Sequence, residues 1–355
     1  MNIAILKTAA LGDVVRTTSI LPGLARRHTP LRVLWITAPG AVDLVRTHPL
    51  VERVEAVSVD DATSFEQLED KLAAERFERV LSFDDEEPMC ALATRLAKGR
   101  SGILSGAYLD TSTGERRYTA DCSAWFDMGL LSVFGKEEAD RRKRENTESH
   151  PTIYARMLGI EKGEPELHLS DEAQRFGAAF RARHELRGRA PLIGLNTGSG
   201  GRWESKKLTV ERTIEVARGL ASELGGSPVF LLLGGPQEAE RNAAIAVGLE
   251  ACDPSLQWVD TGTGNSLLEF TALVDGLDLL LTSDSLALHL ANARRVPIVG
   301  FFAPTPAAEI DFYGRGIAVQ STADDYASYR GDADTSSLTP ARLIRACLEL
   351  LRSRA

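Results

Sequence analysis

The chain alternates short apolar runs with longer stretches in which apolar positions recur at helical spacing, and it does so twice. In the first half, residues 2–6, 31–37, 51–57 and 79–83 are apolar runs bounded by turn-forming residues, the pattern of buried strands. Between them, 13–27, 41–47, 64–76 and 89–97 carry apolar residues three and four apart, which predicts amphipathic helices. After Pro191 the alternation restarts, with strands at 192–196, 228–233, 277–282 and 297–302 and helices at 210–224, 238–249, 267–274 and 285–294. An amphipathic helix at 340–351 closes the chain. Strand–helix alternation at this spacing needs crossover connections, hence mostly parallel sheets covered on both faces. The expected fold class is α/β, with two doubly wound, Rossmann-like domains and an interdomain cleft at the carboxyl ends of their strands, where such sheets bind ligands.

A composition switch locates the join. Residues 136–146 are densely charged and 161–165 form a further polar break, with a short helix at 151–158 between them. The expected domains are therefore 1–165 and 166–335, with 336–355 a closing helix packing back across the junction. A length of 355 residues suits two cores.

Charge and cysteine usage narrow the class. A formal charge of −9 argues against a general nucleic-acid binder, which needs a basic face. Four cysteines without a Cys-x-x-Cys pair suggest neither a zinc knuckle nor a disulfide framework, so reduced, mostly buried thiols are expected. The N-terminus lacks a secretory apolar region and no apolar run reaches the ~18 residues of a membrane span. A cytoplasmic protein is expected, at most peripheral to a membrane.

The candidate chemistry sits at strand ends. Lys7-Thr8-Ala9-Ala10-Leu11-Gly12-Asp13 follows the first strand and offers an isolated carboxylate at a strand-to-helix turn. Asp13 either caps the helix beginning at Val14 or acts as a general base on an acceptor hydroxyl, its pKa tuned by partial burial. Thr197-Gly198-Ser199-Gly200-Gly201-Arg202 follows the strand at 192–196 and can bring backbone N–H groups to an anion without Cβ obstruction. Trp203 stands where a dinucleotide fingerprint has its third glycine, and the Gly-Lys-Ser/Thr ending of a P-loop is absent. Lys206, nearby, can neutralise a diphosphate; the plain alternative is a flexible turn with solvent-facing lysines.

Gly234-Gly235-Pro236-Gln237-Glu238 ends another strand; Glu238 either accepts ribose hydroxyls or is simply favoured in a first helical turn by the macrodipole. Asp284, Ser285 and His289 form either a cap and a core histidine or an anion grip at a helix N-terminus. Asp84-Asp85-Glu86-Glu87 reads mainly as a solvated acidic loop that can also line an acceptor side or, as a minority reading, hold a divalent ion, and Arg141-Arg142-Lys143-Arg144 as a solvated helix face that can also meet anionic headgroups or a phosphorylated acceptor. No metal ligand set is expected.

Taken together these segments resemble glycosyltransferase family 9, the bacterial heptosyltransferases that use ADP-heptose, and the resemblance runs through nearly the whole chain. Leu11-Gly12-Asp13 matches that family's Leu-Gly-Asp signature, which makes Asp13 the implied catalytic base. Gly198 to Lys207 is similar to its phosphate-binding loop, Gly234-Gly235-Pro236 with Glu238 to its ribose element, and Ser283-Asp284-Ser285 with His289 to its donor signature, followed by Pro297 to Thr305. The implied donor set is Thr197, Gly198, Ser199, Gly200, Lys206, Glu238, Asp284, Ser285 and His289, with Lys7, Arg16, Asp84 and Asp85 on the acceptor side. Two positions depart from the pattern: Leu286 replaces the usual glycine, and Phe302-Ala303-Pro304-Thr305 replaces Phe-Gly-Pro-Thr.

The resemblance implies a GT-B-type enzyme performing inverting, metal-independent transfer of heptose from an ADP-sugar to a saccharide or glycolipid acceptor of lipopolysaccharide-core type. No cofactor beyond the donor substrate is implied. A cytoplasmic monomer, peripheral at the inner face of the membrane, is the expected form. A nucleotide-sugar 2-epimerase and an inactive nucleotide- or glycan-binding relative are the alternatives. Acceptor specificity is expected in first-domain loops such as 101–117.

Overall fold

The structure, a computed structural model, describes residues 1–97, 103–129, 131, 133–189, 191–201, 203–225 and 228–354. The chain divides into two compact units, Met1–His168 and Leu169–Ala355.

In the first unit, β1 (Asn2–Leu6) leads to α1 (Leu11–Thr17) and α2 (Ile20–Arg27), then β2 (Arg32–Thr37) and β3 (Arg53–Ala56). α3 (Ala62–Leu72), β4 (Arg79–Ser82), α4 (Glu87–Ala97), β5 (Ile103–Leu109) and β6 (Arg116–Tyr118) follow, and α5 (Ser123–Phe126), α6 (Lys136–Glu145) and α7 (His150–Leu158) end the unit. The strand order is β3-β2-β1-β4-β5-β6, parallel except for the β5–β6 pair.

The second unit runs α8 (Asp171–Arg183), β7 (Leu192–Asn196), α9 (Val210–Glu223), β8 (Val229–Leu232), α10 (Ala239–Cys252), β9 (Gln257–Asp260), α11 (Leu267–Val274), β10 (Leu279–Ser283), α12 (Leu286–Ala293), β11 (Ile298–Phe302), β12 (Gly316–Gln320) and α13 (Pro340–Arg352). Its order, β12-β11-β10-β7-β8-β9, is the same doubly wound arrangement counted from the other edge. In each sheet the winding reverses between the first and fourth strands, β1/β4 and β7/β10, and there the crossovers leave in opposite directions and open a crevice.

Period-2 alternation inside apolar strands explains the layering. Leu279 and Leu281 face one layer with Val216, Leu220, Leu343 and Cys347, whereas Leu280 between them faces Leu273, Leu288 and Ala291 on the other. In the first unit Ala4, Leu6, Leu34, Ile36 and Val80 pack against Phe65, Leu68, Met89 and Leu92. α13 belongs to the second unit's own core, lying on α9 and on β10–β12. The four cysteines are free thiols, with Cys90, Cys122 and Cys347 buried.

Several expectations need correction. The helix expected at 13–27 is two helices, because Pro22 lacks the N–H that a continuous helix would donate to Thr18, and is tolerated only within the first turn of α2. The stretch 41–47 holds a 3-10 turn, Pro39–Leu44, instead of an α-helix. The charged boundary at 136–146 is α6, stabilised by Arg141–Glu138 and Arg141–Glu145 pairs in place of a wide apolar face. Arg142 pairs with Asp127, and Lys143 with Asp140, so this basic run is largely neutralised within its own unit. β5, β6, β9, β12 and α8 were not anticipated. Arg202 and Ser101 lie outside the described residues.

Candidate active site

The first crevice is built around a buried ion pair. β1 and β4 run side by side with Leu6 opposite Ser82, so their next residues emerge together at the carboxyl edge. Lys7 Nζ there meets Asp84 Oδ1, and Asp84 Oδ2 accepts from the Thr8 amide and, at 2.8 Å, from the Thr8 hydroxyl. Lys7 and Asp84 are both almost fully buried. Burial opposes the lysine's charge, but the Asp84 and, further off, Asp13 carboxylates outweigh it and hold Lys7 above its ordinary value. Asp84 is thus not part of a solvated acidic loop; it fixes the chain that leads from β1 into α1.

Asp13 lies in the first turn of α1, whose N-cap is Ala10. The capping alternative is therefore overturned: Val14 N–H donates to the Ala10 carbonyl, not to the aspartate. Asp13 Oδ1 receives Arg16 Nη2 at 2.5 Å, one helical turn on, and the aspartate side chain stays 31 % exposed against 8 % for Arg16. Arg16 in turn lies 6.0 Å from the Trp125 ring centroid. The result is an accessible carboxylate oriented by a buried guanidinium. Asp85, the residue after Asp84, accepts from the Tyr118 hydroxyl at 3.0 Å.

The second crevice repeats the device. β7 and β10 are paired with Asn196 opposite Thr282, and Asp284 follows β10 as Asp84 follows β4. Lys206 Nζ donates to the Asp284 side chain at 2.8 Å and to its carbonyl at 2.9 Å. Asp284 also accepts from Thr305 at 2.9 Å and has His289 Nε2 at 3.8 Å. Burial disfavours the charged carboxylate, but Lys206, His289 and the Thr305 bond outweigh it and hold Asp284 well below the usual carboxylate range. Ser285 is the N-cap of α12 but makes no side-chain cap; its hydroxyl lies with Thr282 at 3.1 Å and Asn196 at 3.2 Å. The first amides of α12 consequently lack a side-chain acceptor, and such amides attract anions.

Leu286 opens α12 in ordinary helical backbone, half-buried, so its side chain forces no altered turn.

The glycine loop is braced rather than floppy. Glu238 Oε1 accepts from Gly200 N–H at 2.7 Å and Oε2 from Gly235 N–H at 3.0 Å, so the carboxylate ties the loops after β7 and β8 together. Gly200 has φ +66°, which glycine adopts without strain. Ser199 Oγ donates to the Trp203 carbonyl at 3.2 Å. Thr197, expected at the donor, is buried instead, its hydroxyl accepting from Arg241 at 3.0 Å and Thr213 at 3.1 Å. A threonine directly after a buried strand is drawn into the core by the arginine reaching over from α10. Trp203 lies 5.3 Å from Lys206 Nζ.

Sequence reading brought Lys206, Asp284, Ser285 and His289 together, and Lys7 with Asp84. It missed Thr8 and Arg241, whose partners are remote in sequence, and Thr305, which was quoted within its signature but given no role.

Residues 123–332 match the model of glycosyltransferase family 9 (heptosyltransferase). The chain belongs to glycosyltransferase family 9. Like the rest of the family it is a glycosyltransferase. It is 22% identical over 337 residues to lipopolysaccharide heptosyltransferase 1 of Salmonella typhimurium, covering 89% of this chain and 92% of that one. A family 9 glycosyltransferase of Veillonella parvula superposes with a TM-score of 0.77 at 19% identity, covering 99% of this chain and 97% of the other. E. coli heptosyltransferase WaaC with ADP-2-deoxy-2-fluoro heptose gives 0.61 at 20% identity, covering all of both chains. The two doubly wound sheets are thus the GT-B fold of the family 9 heptosyltransferases. Among the described residues no helix is long and apolar enough to cross a membrane.

Proposed function

We propose that this family 9 enzyme transfers heptose from ADP-heptose to a saccharide or glycolipid acceptor of the lipopolysaccharide-core type, with inversion and without a metal at the transfer site. The supporting observation is Lys206, held by Asp284, whose carboxylate also accepts from Thr305, beside the glycine loop and the uncapped start of α12. A cation, free amides and a helix N-terminus together suit the two phosphates of a nucleotide sugar and the charge its departure leaves. Donor binding draws Lys206 from Asp284 onto the diphosphate. The solved relative that carries an ADP-heptose analogue supports the donor's identity.

In this reading Asp13 removes the acceptor proton. Its carboxylate is accessible and aimed by Arg16, and Lys7, fixed by Asp84, adds positive charge nearby without itself leaving the core. The acceptor hydroxyl then attacks the anomeric carbon as ADP leaves. The enzyme acts at the cytoplasmic face of the membrane, where such an acceptor is built.

Purified protein supplied with ADP-heptose and core-type acceptors is expected to release ADP only when the acceptor is present. Asp13→Asn should lower turnover by about 10²–10⁴ while leaving ADP affinity nearly intact, since general-base catalysis contributes on that scale. No ADP release with any acceptor would sink the heptosyl assignment, and parallel loss of ADP affinity in Asp13→Asn would make the aspartate structural.

A further inference from the structure

A cluster remote in sequence from these motifs has the spacing of a metal centre. His48, just after the first 3-10 turn, and Glu166 and His168, near the end of the first unit, each offer one ligating atom within 4.8 Å of the others. His168 Nε2 lies 3.3 Å and His48 Nε2 3.7 Å from the same oxygen, Glu166 Oε2. Ligands on bonds of about 2.0–2.2 Å in a tetrahedron stand ~3.3–3.6 Å apart, so these separations need little closing.

Three further observations make the cluster a built site. His48 is almost wholly buried, yet its Nε2, which faces Glu166, has no hydrogen-bond partner. The carboxylate and the second ring are partly open to solvent, which gives an ion access. The backbone carrying them is pinned: Glu166 N–H donates to Thr18 Oγ1 at 2.9 Å, and the Thr47 hydroxyl donates to the His168 carbonyl. The two imidazoles meet edge to face, with centroids 5.4 Å apart.

We propose that His48, Glu166 and His168 form a divalent metal site of the zinc class that staples the turn at 47–50 to the last residues of the first unit. Two imidazoles and one carboxylate are a borderline donor set that suits zinc or cobalt better than calcium or magnesium, which prefer oxygen alone. The fourth position is left to water, facing solvent. Its role is structural and separate from the transfer chemistry. The Leu50 amide donates to His48 Nδ1 at 3.1 Å, which places the neutral ring's proton on Nε2. Metal binding must therefore move that proton to Nδ1 and break the Leu50 contact.

The test uses tag-free, chelator-stripped full-length protein with Zn²⁺ and Co²⁺ as probes. One Co²⁺ per chain should bind with the visible absorption of four- or five-coordinate cobalt, and Zn²⁺ should raise the melting temperature. His168→Ala and Glu166→Gln, both at partly exposed positions, should each weaken binding at least about tenfold while leaving the metal-free melting temperature unchanged. Because replacing buried His48 can unfold the chain, its ligation is followed by ¹⁵N imidazole resonances, expected to change tautomer as Zn²⁺ is added. Absence of saturable binding, wild-type affinity in both variants, or an unmoved His48 resonance would overturn the proposal. Each outcome is read without reference to glycosyl transfer.

Discussion

At the scale of single residues the molecule twice invests a buried lysine–aspartate pair in fixing a loop, and the two pairs respond differently to perturbation. Removing one member of the Lys7–Asp84 pair leaves an uncompensated charge in a dry environment, which costs roughly 3–5 kcal/mol. Asp84→Ala should therefore lower unfolding free energy by about that amount, whereas Lys7→Met with Asp84→Ala should recover most of it. Urea titrations of the wild type and the two variants check this, and equal loss in the single and double variants would refute it. Asp284 adds a pH dependence. Its folded pKa is depressed below the ordinary 3.8, so its contribution to stability is full above that value and is lost as pH falls through the folded one. Lys206→Met removes the charge that does most to offset burial, so the stability difference between about pH 5 and about pH 3 should shrink relative to wild type. An unchanged difference would show that Lys206 does not set the titration of Asp284.

At the scale of elements, what was legible in the sequence was the buried interior. β1, β7 and α11 fall at 2–6, 192–196 and 267–274 as expected, because strands covered on both faces must be apolar throughout and helices between them must be striped. The edge strands β6, β9 and β12 escaped, since Arg117, Gln257 and Gln320 face water and dilute the signal. α6 fell in the charged boundary stretch, where only Arg141–Arg144 read as a helix face, because its cohesion comes from ion pairs. In the site, Lys206 and Asp284 were legible as strand-end residues, but Glu238 was not legible as a brace, because Gly200 is 38 residues away. That brace carries a prediction. A Cβ on Gly198 would stand 2.4 Å from Glu238 Cγ, so Gly198→Ala must displace the carboxylate and free both loops. Donor KM should rise by about tenfold or more, because small misplacements of positioning groups are costly, while the circular dichroism spectrum stays native. An unaltered KM would mean that the glycine loop does not form the donor site.

At the scale of the whole molecule, each unit has its own sheet in the same strand order and its own buried layers, α13 completing those of the second. Neither sheet borrows a strand from the other unit, so each has the elements of an independently folding domain. Duplication of the switch-point clasp then separates the proposed chemistry: the residues proposed to hold the donor, Lys206, Glu238, Asp284, Ser285 and His289, all belong to residues 169–355, and the proposed base Asp13 with Arg16 to residues 1–168. Expressed apart, the 169–355 fragment should fold and bind ADP with a dissociation constant within about tenfold of the intact chain, a difference of at most ~1.4 kcal/mol. It should show no transfer, since the base is absent. The 1–168 fragment should fold without binding ADP. Calorimetric titration of both fragments decides the matter: ADP binding by the 1–168 fragment would reverse the assignment of donor and acceptor units, and a folded 169–355 fragment that does not bind ADP would show that the second clasp holds the loop without forming the donor site.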